Sequence, residues 1–223
     1  MGTGQWAIVV GLLVTCAAGM ISVGWQRRHQ RALAQLARRL NLNYIPDDRL
    51  GLPWRYRRLT LFGRGHSRRA SRVISGPAPF GAVSCFRYAY EVGSGGHREV
   101  RCWCVAVIES DRDLPSASVG PATGEGSVDD VWLDAVPDAA KPMSLQGHAG
   151  IRASSTDAVG ARGVAWADRL ADWVSALDRP CGVETGGRLA AVFVPAPDSP
   201  ERIGWLLHVA TDMAEKIHRV ADA

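Results

Sequence analysis

Between Trp6 and Trp25 the chain has no charged residue, and no lysine or arginine precedes that run. From residue 26 to 72 it has no lysine and two acids, Asp47 and Asp48, against thirteen arginines, a net of +11. The remainder, residues 73–223, holds 13 basic and 20 acidic residues, so the overall +4 hides a basic first third followed by an acidic body. The signatures of several common chemistries are also missing. No Gly-x-Ser-x-Gly elbow presents a hydrolase nucleophile. Gly120-x-x-x-Gly124-x-Gly126 lacks the Lys-Ser/Thr of a phosphate loop and follows no expected strand, so it reads as linker. Cys102-x-Cys104, even with Cys85 on the neighbouring strand, has neither a second pair nor a histidine motif, so buried thiols explain it better than zinc. No catalytic residue, metal or cofactor is expected.

What is there begins with the apolar run. The residues between Trp6 and Trp25 would span roughly 27 Å as a helix, close to the hydrocarbon thickness of a bilayer, with an indole at each interface. The expectation is a transmembrane helix over 6–25, with residues 1–5 outside the cytoplasm. A cleaved signal peptide is the poorer reading, because Met1–Gln5 has no positive charge and the apolar run is long for a signal core. Leu13-Val14-Thr15-Cys16 resembles the box before a lipidated cysteine, but Thr15 is larger than that box prefers and the apolar run continues past Cys16. Ala7, Gly11, Thr15 and Gly19 recur every four residues, a small-residue stripe suited to self-association of helices in lipid.

Arg27, Arg28, Arg31, Arg38 and Arg39 follow the run directly. Positive flanks stay cytoplasmic, which anchors the chain in the cell membrane with the main domain on its cytoplasmic side, in a reducing compartment where the cysteines remain thiols. The same five arginines are candidate contacts for anionic lipid headgroups. Nucleic acid explains them less well, since no binding motif accompanies them.

Residues 26–42 carry Leu33, Leu36, Ala37 and Leu40 at helical spacing, predicting a basic juxtamembrane helix. The body, 43–223, is expected to be one α+β domain: a mostly antiparallel sheet packed with two or three helices. Leu59–Phe62 is a short strand candidate. Ser71–Ser75, Ala82–Val92 and Glu99–Glu109 form a meander, in which Phe86, Tyr88 and Tyr90 share one face and Cys102, Cys104, Ala106 and Ile108 another. The composition of 111–126 predicts an exposed loop. Ser127–Leu133 and Ile151–Ser154 are weaker strand candidates. Trp166–Leu177 reads as a helix, Gly182–Glu184 and Leu189–Val194 as a hairpin about Gly186-Gly187, and Ser199-Pro200 as the start of a final amphipathic helix. His208 and Asp212 share a side of that helix, where a solvated face accounts for them better than a base and its orienter.

Ser71-Arg72-Val73-Ile74-Ser75-Gly76, Gly81–Tyr90, the Gly-Ser-Gly turn at 93–95 and the late Val183-Glu184 with Gly186-Gly187 resemble a group of short single-pass bacterial membrane proteins with no assigned activity. The resemblance implies an anchored α+β domain and carries no chemistry with it. Together these features predict a membrane-anchored binding or scaffold domain, its partners the membrane lipid, a protein, or a second copy through the anchor. The alternative is a membrane-associated hydrolase or transferase whose site the sequence does not display.

Overall fold

A computed structural model describes residues 23–78, 81–121, 141–143, 150–155 and 161–221. Its centre is a seven-stranded antiparallel sheet. Helix α1 (residues 23–39) leads into β1 (Asn43–Asp47), and two single-turn helices, α2 (Leu52–Arg55) and α3 (Thr60–Gly63), follow. Then come β2 (His66–Ala78), β3 (Gly81–Val92), β4 (Glu99–Pro121), β5 (Lys141–Met143), β6 (Ile151–Ser155), α4 (Ala161–Ser175), β7 (Gly182–Pro195) and α5 (Pro200–Ala221).

The sequence expectation needs a correction at its start. Among the described residues no helix is long and apolar enough to cross a membrane. The expected span at 6–25 lies outside the described residues except for its last three, which belong to the first turn of α1. That helix holds five arginines, each costing about 3 kcal/mol at a bilayer centre. Among the described residues, the transmembrane helix expected of a single-pass membrane protein is therefore not found. The small-residue stripe Ala7, Gly11, Thr15, Gly19 and the strand candidate at 127–133 also lie outside the described residues.

Strand β4 is the spine of the sheet. One edge pairs with β7 from Trp103 to Val119. The other pairs with β3 from Glu99 to Ser110 and then, further along, with β6 from Ser118 to Pro121. A straight strand of 23 residues would run about 75 Å, longer than any small domain can cover. The chain breaks the ladder between Glu109 and Ala117, where the register against β7 shifts twice. Pro115 has no N–H to give a ladder, and Gly187, opposite Leu114, sits at φ +58°, a conformation that side-chain-bearing residues resist. Side chains occupy the carbonyls left over: Thr185 Oγ1 donates to Pro115 O at 2.7 Å and Arg188 Nε to Ser110 O at 3.0 Å. Two expectations are corrected here. Residues 111–121 are strand rather than loop, and Gly186-Gly187 marks a bulge inside the continuous strand β7 rather than a hairpin turn.

Alternation divides the sheet into two unlike faces. One carries Phe86, Tyr88, Tyr90, Trp103, Val105 and Phe193 and is covered by Leu52, Tyr56, Leu59, Leu61 and Phe62 of the α2–α3 segment. Residues 60–63 are therefore helix rather than strand, because they must turn to cap this aromatic layer. The opposite face offers smaller side chains, among them Cys85, Cys104, Ala106 and Ala190, and is covered by α1, α4 and α5. The stripe expected on the last helix is buried there from Ile203 to Ile217. Ser199 caps that helix, accepting from Arg202 N at 3.1 Å.

Phe62 lies at the middle of the aromatic layer, with ring centroids 4.8 Å from Tyr88, 5.8 Å from Phe86 and 5.7 Å from Tyr56. Phe62→Ala leaves a cavity that the three surrounding rings cannot collapse into, and should cost about 3–5 kcal/mol. A urea titration checks this: the midpoint should fall with the slope unchanged. A loss under about 1 kcal/mol would show that the α2–α3 segment is not a fixed cover.

Candidate functional site

Helix α1 buries Leu33 and Ala37 and leans Leu36 on the core, leaving the opposite side to solvent. Arg27, Arg28, Arg31, Arg38 and Arg39 are all exposed on it, as expected of a helix whose apolar positions recur every three or four residues. None of the five is ion-paired among the described residues. Three apolar residues accompany them in solvent: Val23 and Trp25 at the leading end, the latter 66% exposed, and Leu40, expected in the apolar stripe, which is 45% exposed. The face therefore presents guanidinium groups with an indole at its leading end.

The first turns of α1 are fixed to the sheet by a buried polar cluster. Asp198 stands between β7 and α5, one residue after the cis peptide Ala196–Pro197, and is buried. Arg72 Nη1 donates to both of its oxygens, at 2.8 and 2.6 Å. His29 Nε2 lies 3.6 Å from the same carboxylate, and its ring stacks on Trp25 at 5.6 Å. Arg72 reaches the cluster because β2 is irregular between Ser71 and Ile74, with Arg72 itself at φ 55°. A left-handed conformation costs a non-glycine residue roughly 1–2 kcal/mol, and the buried ion pair offsets it. Burial pushes the nearby Tyr44 hydroxyl up, while the charge of Arg72 pulls against it. A histidine beside a carboxylate has the outline of a general base, but this carboxylate is held by Arg72 and this ring is stacked under an indole. The cluster joins three elements, α1, β2 and the β7–α5 junction.

A second buried carboxylate, Glu184 on β7, is also structural. Its oxygens accept the backbone N–H groups of Thr60 and of Leu61, the latter at 3.0 Å, at the start of α3. No side chain of α3's own N-cap, Leu59, does this. Burial raises the Glu184 carboxyl above its ordinary value, opposed by the Leu61 and Thr60 N–H bonds and by the charge of Arg64.

The remaining sequence candidates separate in the structure. Cys85, Cys104 and Cys181 are buried free thiols, and burial pushes Cys104 and Cys181 up to about 12. Cys102 is half-buried and accepts from Arg87 Nη2 at 3.2 Å. Among the described residues no group of His, Cys, Asp and Glu could hold a metal ion. Asp212 accepts from Trp173 Nε1 and Lys216 Nζ, both at 2.9 Å. Partial burial alone would raise its carboxyl, but those bonds outweigh it and hold the group below its ordinary value. Its partners are thus an indole and an ammonium rather than a nucleophile. Gly120 lies in β4, paired with Arg152 of β6, while 124 and 126 lie outside the described residues.

Sequence reasoning missed His29, Arg72, Asp198 and Glu184. The Arg72–Asp198 pair closes across 126 residues, a separation no local pattern reports. A signal existed only for Asp198, in the Ala-Pro-Asp-Ser-Pro run before a helix.

No protein-family pattern matches the chain, and no curated protein is similar to it in sequence. Among solved structures it is similar to the crystal structure of the mycobacterial trehalose monomycolate transport factor A, with a TM-score of 0.53 and 13% identity. That likeness covers 85% of this chain and 94% of the other. At such identity it shows a shared fold.

Two tests address these buried charges. Asp198→Ala leaves the part-buried Arg72 without its partner and should cost about 3 kcal/mol, the low end for breaking a buried pair, with faster amide exchange over residues 23–39; unchanged exchange there would mean that α1 is held by Leu33 and Ala37 alone. For Glu184, the folded state holds its proton more tightly than the unfolded value of 4.5, so its contribution to stability is present below that pH and is lost as pH rises through the folded value. Glu184→Gln removes the titration, so the variant should gain on the wild type with rising pH; parallel stability curves would refute the assignment.

Proposed function

We propose that this chain is a binding or scaffold module that meets an anionic membrane surface through the exposed arginines of α1, rather than an enzyme. The observation that carries this reading is the set of five exposed guanidinium groups on one helix, none ion-paired among the described residues. An arginine near an anionic bilayer gains about 1 kcal/mol, and the gains weaken as salt shortens the Debye length. An indole at the leading end of the face, Trp25, suits the headgroup level. The buried cluster at Asp198 supports the reading further, because a helix fixed to the sheet presents its charges in one orientation and spends less ordering entropy on binding.

The structural neighbour is named as a transport factor for trehalose monomycolate. By analogy of fold alone, that favours a transport-associated scaffold over a catalyst. The enzyme alternative has no observation in its favour: the buried carboxylates cap a helix or hold an arginine, and the thiols are buried or bonded.

Replacing Arg27, Arg28, Arg31, Arg38 and Arg39 by Gln tests the proposal. Residues 23–223 should co-sediment with phosphatidylglycerol vesicles at low ionic strength and be released as salt is added. The five-fold Gln variant should remain in the supernatant, as should the wild type mixed with phosphatidylcholine vesicles. A wild-type fragment that ignores anionic vesicles at low salt would overturn the assignment.

A further inference from the structure

On the side of the molecule covered by the long helices, α4 and α5 diverge to leave a cleft of about 210 Å³. Its walls are apolar: Trp166, Leu170 and Trp173 from α4 face Met213 and Ile217 from α5. Spacings of three and four residues put each set on one side of its helix. Both indoles are fixed by their own hydrogen bonds, Trp166 Nε1 to Thr185 Oγ1 at 3.0 Å and Trp173 Nε1 to Asp212 at 2.9 Å. The aromatic walls are therefore pre-formed and their polar atoms are already satisfied, which leaves flat apolar surface facing the cleft.

The rim is cationic. Lys216 and Arg169 border the cleft from opposite helices. Lys216 lies 2.9 Å from Asp212 and 5.9 Å from the Trp173 ring centroid, so its charge is largely answered within the protein. Arg169 is exposed and has no ion-pair partner among the described residues. An uncompensated guanidinium beside a narrow apolar slot matches a molecule with one apolar tail and one planar anionic head, since its N–H fork fits a carboxylate with two parallel bonds. A neutral hydrocarbon would leave Arg169 unused, and a hydrophilic anion would leave the apolar walls of the cleft unfilled. The volume admits one chain rather than two.

We infer that the α4–α5 cleft binds a single-chain fatty carboxylate, its tail between Trp166, Trp173 and Met213 and its head on Arg169. The site is separate from the arginines of α1 and does not depend on their contact with a membrane. Such a ligand would let the chain carry or sense a lipid product as well as sit on a lipid surface.

Isothermal titration of the full chain with decanoate, kept below its micelle concentration, tests the inference. Wild type should bind decanoate with saturation, and decanol at least about tenfold more weakly, because the head–guanidinium pair is lost. Arg169→Glu, a change on an exposed helix position, should reproduce that loss for decanoate, and the five-fold Gln variant of α1 should bind as the wild type does. Met213→Trp fills the cleft and, if its thermal melt shows a folded protein, should abolish binding; if it does not fold, Arg169→Glu alone decides. No saturable decanoate binding by the wild type would overturn the inference. Equal binding of decanoate and decanol, undiminished binding by Arg169→Glu, or undiminished binding by folded Met213→Trp would do the same, since each describes partition into apolar surface elsewhere.

Discussion

The backbone of β4 is the constraint from which the rest of the structure follows. It is buried along most of its length and partnered on both edges, so every N–H and C=O on it needs an acceptor or donor within the protein. Unbroken pairing would make a plank too long to cover. The irregular stretch between Glu109 and Ala117 resolves this by releasing a few groups from the ladder and satisfying them with Thr185 and Arg188 side chains. Beyond the bend β3 ends and β6 takes over the same edge, so one strand serves two neighbours in turn.

The two faces of this sheet meet their covers by complementary volume. Where the sheet presents rings, the cover is thin: two single turns of helix and the chain between them. Where the sheet presents thiols and methyl groups, whole helices fit against it. Cys85 and Cys104 belong to the second arrangement, behaving as small apolar side chains whose protons burial retains. Close packing on both sides explains why deleting one ring is expensive although hydrophobic area is abundant.

Much of this was legible in the sequence wherever a local period carried the information. The hairpin β3–β4, the face shared by Phe86, Tyr88 and Tyr90, the helix around Trp166–Trp173 and the capped last helix all follow from spacing and turn chemistry. The arginine face of α1 was legible for the same reason. The errors came where local composition and tertiary demand disagree. Asp111–Pro121 has the proline, serine and acids of a loop, yet pairing with β7 from Leu114 onward and with β6 from Ser118 onward keeps it in the sheet. Gly186-Gly187 has the chemistry of a turn and serves a bulge. Leu59–Phe62 has strand-like residues but caps an aromatic layer as helix. The apolar run at 6–25 was read from its length, its flanking indoles and the arginines that follow it, and no membrane-crossing helix is found among the described residues. The partners of Asp198 and Glu184 were illegible because each lies more than a hundred residues away.

The attachment of α1 at Asp198 has a mechanical consequence. Asp198 sits just before α5, a helix of 22 residues and so about 33 Å long, whose later turns carry Met213, Lys216 and Ile217. A load on the leading end of α1 is therefore carried by His29 and Asp198 into β2 and the start of α5, with Arg72 holding the carboxylate in place, and not by the apolar contacts of Leu33 and Ala37 alone.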